Sequence, residues 1–261
     1  MRVAVLQMAS GEDKRSNLEK AVRMVREAAG MGAELAVLPE LFNFLPQRIE
    51  RARCLSNAEG EDGQTLTTLK RVSKEEGVAI VAGSVIEREG ERLYNTAFVV
   101  TEKGVLGKYR KNHLFNYDKI NEGEVFKPGD SPAVLDLFGT KIGITICYDL
   151  RFPELFRAEA LLGAEVIVNV AAFLEETGRA HWMALLKARA IENLAYIIAA
   201  NQASTEENRF RYYGHSCIID PWGKVVRRAS SGEGIILGSV RRERVKESRE
   251  KIPVFKDYKE Y

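Results

Sequence analysis

The chain has 261 residues, long enough to bury a large core. Its composition, 45% hydrophobic and 29% charged, is that of an ordinary globule. With 39 basic against 37 acidic residues the net charge is only +2, which argues against a nucleic-acid or membrane-surface protein.

Residues 2–7 read as a first strand. Ser16 and Glu19 have capping-box spacing, and Leu18, Val22, Val25 and Ala28 recur at helical intervals until Gly30 and Gly32 stop the helix. A short apolar strand at 35–38 ends at Pro39. A second helix spans 65–76, with Gly77 as its stop. Strands follow at 78–86, 95–100 and 105–108, with turns at Glu89-Gly90 and Lys103-Gly104. Strands at 134–137 and 141–146 flank Gly139, and Pro153 opens a helix that runs to Leu162. Then come a strand at 166–171, a helix at 180–193 and a strand at 196–200. A hairpin of 216–220 and 224–228 turns at Pro221-Trp222-Gly223, and 235–240 is the last strand. The basic stretch 241–251 is interrupted by Glu243, Glu247 and Glu250 and reads as a solvated helix face. Strands alternating with helices, with hairpins mixed in, predict an α/β protein with a mixed sheet or two sheets. No linker-like stretch divides the chain, so 1–261 reads as a single domain.

No apolar run has bilayer-spanning length, and the run at 3–6 is too short for a secretory signal. Cys54, Cys147 and Cys217 are few, odd in number and widely spaced, which predicts a reducing, cytoplasmic setting. Scarce glutamine beside abundant Lys, Arg and Glu is a composition found in thermophiles.

Three strand ends carry chemistry. In KIGITICYDLRFPE an apolar run stops at Cys147, before polar residues, a proline and a helix. A cysteine there is placed to be a stabilised thiolate, although a buried core role is the commoner fate of a cysteine. LAVLPE sets Glu40 just past a second strand, and KYRKNHLF sets Lys111 just past a third. Carboxylates and ammonium groups are rarely buried unless paired, so at strand ends they mark a partly buried site. Alone, Glu40 also reads as a turn acid and Lys111 as one charge in a basic run.

Together the three segments resemble the nitrilase superfamily of carbon–nitrogen hydrolases, whose Glu–Lys–Cys triad matches Glu40, Lys111 and Cys147 in order and spacing. The resemblance covers nearly the whole chain and extends to VAGSV, LYNTAFVV and KPGD. It implies a four-layer α-β-β-α sandwich. It also implies an amidase in which Cys147 forms a thioester, Glu40 moves protons, and Lys111 with the Tyr148 backbone N–H holds the oxyanion. A second site glutamate is implied in the loop before PGD; of Glu122 and Glu124, Glu122 fits the spacing to Pro128 better. AAFLEETGRAHW, YGHSCIIDPWGKVV and IPVFKDY are similar to the Nit-type branch, which includes omega-amidases and deaminated-glutathione amidases. The implied substrate is a small amide that also bears a carboxylate. Arg151 is the candidate grip for that carboxylate, or else a partner for Asp149 or Glu154. Phe173, Thr177 and His181 are candidate pocket residues, with helix packing the alternative for His181 and Trp182. Family members pair through outer helices, so a homodimer is expected across the helices at 153–162 and 180–193.

Other readings of the chain are poorer. Gly214-His215-Ser216 lacks the second glycine of a serine nucleophile elbow. His113, His181 and His215 have no metal-site spacing, and Gly232-Glu233-Gly234 lacks the third glycine of a dinucleotide fingerprint. No metal and no organic cofactor are expected. A nitrilase or carbamoylase on the same triad, and a non-catalytic binding or scaffold protein, are the alternatives to an amidase.

Overall fold

The computed structural model describes residues 1–117, 120–206 and 208–259. In chain order the strands are β1 (Arg2–Gln7), β2 (Leu35–Val37), β3 (Ala79–Val81), β4 (Val85–Glu89), β5 (Arg92–Thr101), β6 (Gly104–Arg110), β7 (Asn116–Tyr117) and β8 (Ile120–Asn121). They continue as β9 (Val134–Leu137), β10 (Thr140–Ile146), β11 (Val166–Ala171), β12 (Tyr196–Asn201), β13 (Cys217–Ile219), β14 (Val225–Arg228) and β15 (Gly234–Ser239). The helices are α1 (Lys14–Gly30), α2 (Arg51–Asn57), α3 (Gln64–Glu76), α4 (Pro153–Leu161), α5 (Glu175–Thr177), α6 (Met183–Asn193) and α7 (Arg242–Lys251).

Two sheets form. The first has the order β15-β1-β2-β3-β5-β4, with β6 also paired to β5; the second runs β14-β13-β12-β11-β10-β9. Side-chain alternation decides what each face meets. From β2, Ala36 and the following Leu38 join Leu18, Val25, Leu69 and Val72 of α1 and α3. Leu35 and Val37 instead join Ile142, Ile144 and Val168 of the second sheet. On the far side of that sheet, Phe156 of α4 and Leu186 and Ala190 of α6 complete the core. The layers are therefore α-β-β-α. All six residues of β11 and of β12 are buried, as expected of central strands covered on both faces.

The helix α2 (Arg51–Asn57) was not expected from the sequence, several strand ends shift by one to three residues, and three further differences have a clear cause. α1 starts at Lys14 because Asp13, not Ser16, is its cap: the Asp13 carboxylate accepts the Ser16 N–H at 3.0 Å. The strand expected over 78–86 is broken into β3 and β4 around Gly83, whose φ is +35°. The helix expected from 180 begins earlier, as α5 and a π turn at Gly178–Trp182 that leads into α6. As expected, α7 is a solvated helix; it buries only Val245 and Ser248. No helix among the described residues is long and apolar enough to cross a membrane.

Candidate active site

Strand ends from both sheets meet at one place. β2 ends at Val37, shortly before Pro39, which has no N–H to extend a ladder, and Glu40 follows the proline at once. The break at Gly83 makes room for this turn: a Cβ at Gly83 would lie 1.9 Å from the Pro39 carbonyl oxygen. The next residue, Leu41, takes a left-handed φ of +51° and donates its N–H to Ser84 Oγ at 3.0 Å. Lys111 follows β6 and is pinned by two backbone bonds, its N–H to the Asn95 carbonyl and its own carbonyl from the Gly129 N–H, both at 2.9 Å. Cys147 follows β10 and opens a 3-10 turn, Cys147–Arg151. Its φ of +47° is costly for a residue with a side chain and is paid for by the surrounding packing.

The structure brings together all four residues expected at the centre. Glu40, Lys111, Glu122 and Cys147 are each at most 8% exposed. Lys111 Nζ lies 2.9 Å from Glu40 Oε1 and 2.8 Å from Glu122 Oε2. Glu122 also accepts the Phe115 N–H at 2.7 Å, whereas Glu124 is exposed and accepts from the Asn121 side chain. Of the two acids the loop offers, Glu122 is the one placed beside Lys111. Tyr148 is the second residue of the nucleophile's turn, where an N–H has no acceptor within the turn.

Burial dominates the electrostatics. It works to lower the Lys111 pKa, but the Glu122 and Glu40 carboxylates overcome it and hold the ammonium well above its ordinary value. Burial raises the Glu122 pKa against the pull of Lys111. For Cys147, burial and then the Glu40 charge push the thiol well up, outweighing Lys111 and the Ala172 N–H. Both effects work against a stabilised thiolate. The 3-10 turn is too short to supply a helix dipole that could offset burial and the Glu40 charge.

A cavity of about 620 Å³ opens on all four groups and is walled by Leu45, Ile49, Leu174, Phe210 and Tyr212, with Arg48 and Arg209 also lining it. A narrower space of about 240 Å³ on the same cysteine adds Tyr148, Arg151, Phe173 and Thr177. Three of the four expected pocket residues therefore reach Cys147's surroundings. His181 does not line either space; it is exposed, with Nδ1 3.3 Å from Arg151 Nη1. Trp182 is fully buried against Phe173, a packing role. Among the described residues Arg151 has no carboxylate within ion-pair reach, so the pairing with Asp149 or Glu154 is not made. It stacks over the Phe173 ring at 5.3 Å instead.

Sequence reasoning missed three groups. Asn95 Nδ2 bonds Glu40 Oε1 at 2.8 Å and reaches Glu122 Oε1 at 3.5 Å, tying the two acids together. The Ala172 N–H, just past β11, donates to Glu40 Oε2 at 2.8 Å. The Gln202 side chain donates to the Glu40 carbonyl at 2.9 Å. A polar residue inside the apolar strand LYNTAFVV was the available signal for Asn95; the backbone N–H of Ala172 had none.

Two packed sheets with an acid, an ammonium and a cysteine at their joined ends define a hydrolase-type site. Residues 2–250 match the carbon–nitrogen hydrolase family. The chain is 36% identical to omega-amidase NIT2 of Xenopus tropicalis, over 97% of this chain and 93% of that protein. Its fold is similar to Saccharomyces cerevisiae Nit3, a member of branch 10 of the nitrilase superfamily, with TM-score 0.89, 31% identity, and coverage of 97% of this chain and 94% of that one. It is also similar to a variant of the amidase from Nesterenkonia sp. AN1, seen with the acetamide moiety of fluoroacetamide added covalently at its active-site cysteine (TM-score 0.82, 28% identity, 97% and 95% covered). The chain belongs to the carbon–nitrogen hydrolase family and is an enzyme that hydrolyses carbon–nitrogen bonds other than peptide bonds. Within that family it falls in the Nit-type amidase branch.

Proposed function

We propose that this amidase cleaves small amides bearing a carboxylate, through a thioester on Cys147. The observation that carries the reading is the buried Glu40–Lys111–Glu122 cluster beside Cys147, with the Arg151 guanidinium, which has no carboxylate partner among the described residues, in the adjoining space.

Glu40 takes the thiol proton as Sγ attacks the carbonyl carbon, so no free thiolate accumulates. The Lys111 ammonium and the Tyr148 N–H hold the oxyanion. Collapse breaks the C–N bond, and Glu40 returns its proton to the departing amine. Glu40 then deprotonates a water that attacks the thioester, releasing the acid and restoring the thiol. Glu122 and Asn95 keep Lys111 and Glu40 in register. Arg151 binds the substrate carboxylate, with Phe173 and Thr177 shaping the space around it. The covalent cysteine adduct of the Nesterenkonia relative and the omega-amidase activity named for the Xenopus relative support this reading.

The decisive experiment measures ammonia or amine release from propionamide, α-ketoglutaramate and deaminated glutathione, with intact mass spectrometry of the acylated enzyme. Turnover favouring the two carboxylate-bearing amides, lost in Cys147→Ala, is the expected result. Retained turnover in that variant refutes the nucleophile. Carbon dioxide released from a ureido substrate, or nitriles preferred over the matching amides, would reassign the reaction.

We further propose one catalytic domain over 1–261, acting in the cytoplasm as a homodimer. Apolar side chains left exposed on and beside the outer helices, Leu161, Leu162, Ile191 and Trp222, support that face as the dimer contact. A monomer by light scattering at working concentration would refute the dimer.

A further inference from the structure

We infer that Asp149 is a positioning residue that sets the distance between Lys111 and Cys147; the inference rests on the roles proposed above for those two groups. Lys111 and Cys147 stand at the ends of β6 and β10, which belong to different sheets and share no backbone ladder. Something other than sheet pairing must hold them in register.

Asp149 is fully buried, two residues past Cys147. Its Oδ2 accepts from Tyr109 Oη at 2.8 Å and from the Ile146 N–H at 2.9 Å. Its Oδ1 accepts from the His113 N–H at 3.0 Å and lies 2.7 Å from His113 Nδ1. Tyr109 Oη in turn accepts the Asn112 N–H at 3.2 Å. Tyr109, Asn112 and His113 straddle Lys111, and Ile146 precedes Cys147. One carboxylate therefore holds the chain on both sides of the ammonium and immediately ahead of the nucleophile. The His113 ring adds a second tie by stacking on Phe152, at the end of the nucleophile's turn, with centroids 3.6 Å apart.

The four contacts use all the acceptor capacity of a carboxylate, which is what allows the charge to be buried. An amide cannot replace it. Asn offers one oxygen, and its NH2 must face two of the four donors. Neither sheet can absorb the resulting displacement locally, because both ends are fixed by their own strands. The displacement falls on the gap between the oxyanion-binding ammonium and the attacking sulfur, where about 1 Å of misplacement costs about 10²-fold.

The test compares Asp149→Asn, His113→Leu and His113→Asn with wild type and Cys147→Ala, using whichever amide of the panel the wild type turns over fastest. Asp149→Asn, checked for native circular dichroism, is expected to lose about 10²-fold in kcat with KM within about threefold, since the loss falls on the transition state. His113→Leu is expected to lose about tenfold in kcat as one anchor goes, and His113→Asn, whose amide can still donate toward Asp149, to recover most of that loss. Wild-type kcat in folded Asp149→Asn overturns the inference, as does an equal loss in the two His113 variants. If Asp149→Asn does not fold, the His113 pair decides alone. Turnover surviving in Cys147→Ala sinks the underlying mechanism; an inactive Cys147→Ala beside a fully active Asp149→Asn sinks only the positioning role.

Discussion

Lys111 Nζ and Glu40 Oε1 meet at 2.9 Å although 71 positions separate them in the chain. Both side chains are at most 3% exposed, so each is the buried counter-charge of the other. Glu122 completes the cluster from the other side of the ammonium. The pairing ties catalytic competence and stability to the same few atoms.

Lys111→Ala is accordingly expected to damage both. Two buried carboxylates lose their counter-ion, at a cost of about 3–5 kcal/mol, and the oxyanion loses a donor worth about 10²–10³-fold in kcat. Urea unfolding measures the first. Turnover at low temperature, where the variant remains folded, measures the second; near-wild-type kcat there would remove Lys111 from the oxyanion site.

The raised pKa of Cys147 predicts slow alkylation at neutral pH. Iodoacetamide should modify it at a rate that still climbs at pH 9, the ordinary thiol midpoint, instead of levelling off below it. Glu40→Gln removes the like charge and should move the curve to lower pH. A plateau reached below about pH 8 in the wild type would show a thiolate at rest.

Glu159 of α4 has no exposure, one oxygen bonded to the Ile144 N–H at 3.1 Å, and the other without a partner among the described residues. Burial, and then the Asp149 charge, push its pKa well above 4.5. In the unfolded chain the group ionises near 4.5, while in the folded protein it keeps its proton. Stability is therefore full below about pH 4.5 and falls as pH rises toward the folded value, by about 1.4 kcal/mol for each pH unit crossed between the two. Glu159→Gln should flatten this slope and exceed wild type in melting temperature at about pH 8 but not at about pH 4.5. Parallel melting curves against pH for the two proteins would refute it.

Gly83→Ala should cost stability and activity together. The added methyl group collides with the Pro39 carbonyl, and φ at this position is already +35°. A destabilisation of more than about 1 kcal/mol is expected, with a fall in kcat of about 10²-fold as Glu40 is displaced. Calorimetry and turnover check the two halves; a stable, fully active variant would show that the turn relaxes without moving Glu40.

Glu40, Lys111 and Cys147 stood out only together: each sits just past a strand, and the order and spacing of the three motifs, not any one of them, resemble the Glu–Lys–Cys pattern. The triad's supports did not stand out. Asn95 lies inside a strand, where a lone polar residue says nothing of which acid it will meet. Asp149 entered the sequence reading only as an alternative partner for Arg151, and its four contacts come from positions 109 to 146. The break at Gly83 was hidden because apolar residues resume at Val85, so the segment reads as one strand across Gly83 and Ser84. The burial that raises the Cys147 pKa was hidden for a related reason: strand ends and turns are local, whereas burial comes from the whole assembly.

Glu40 and Lys111 hang from one sheet and Cys147 from the other. Neither sheet alone holds a complete reaction centre. A folding intermediate with only one sheet formed, or a thermally loosened state in which the sheets have slipped apart, is catalytically silent even with its secondary structure intact. Turnover in this protein thus acts as a gauge of the seam between the sheets, and on heating it should vanish before the helical signal does.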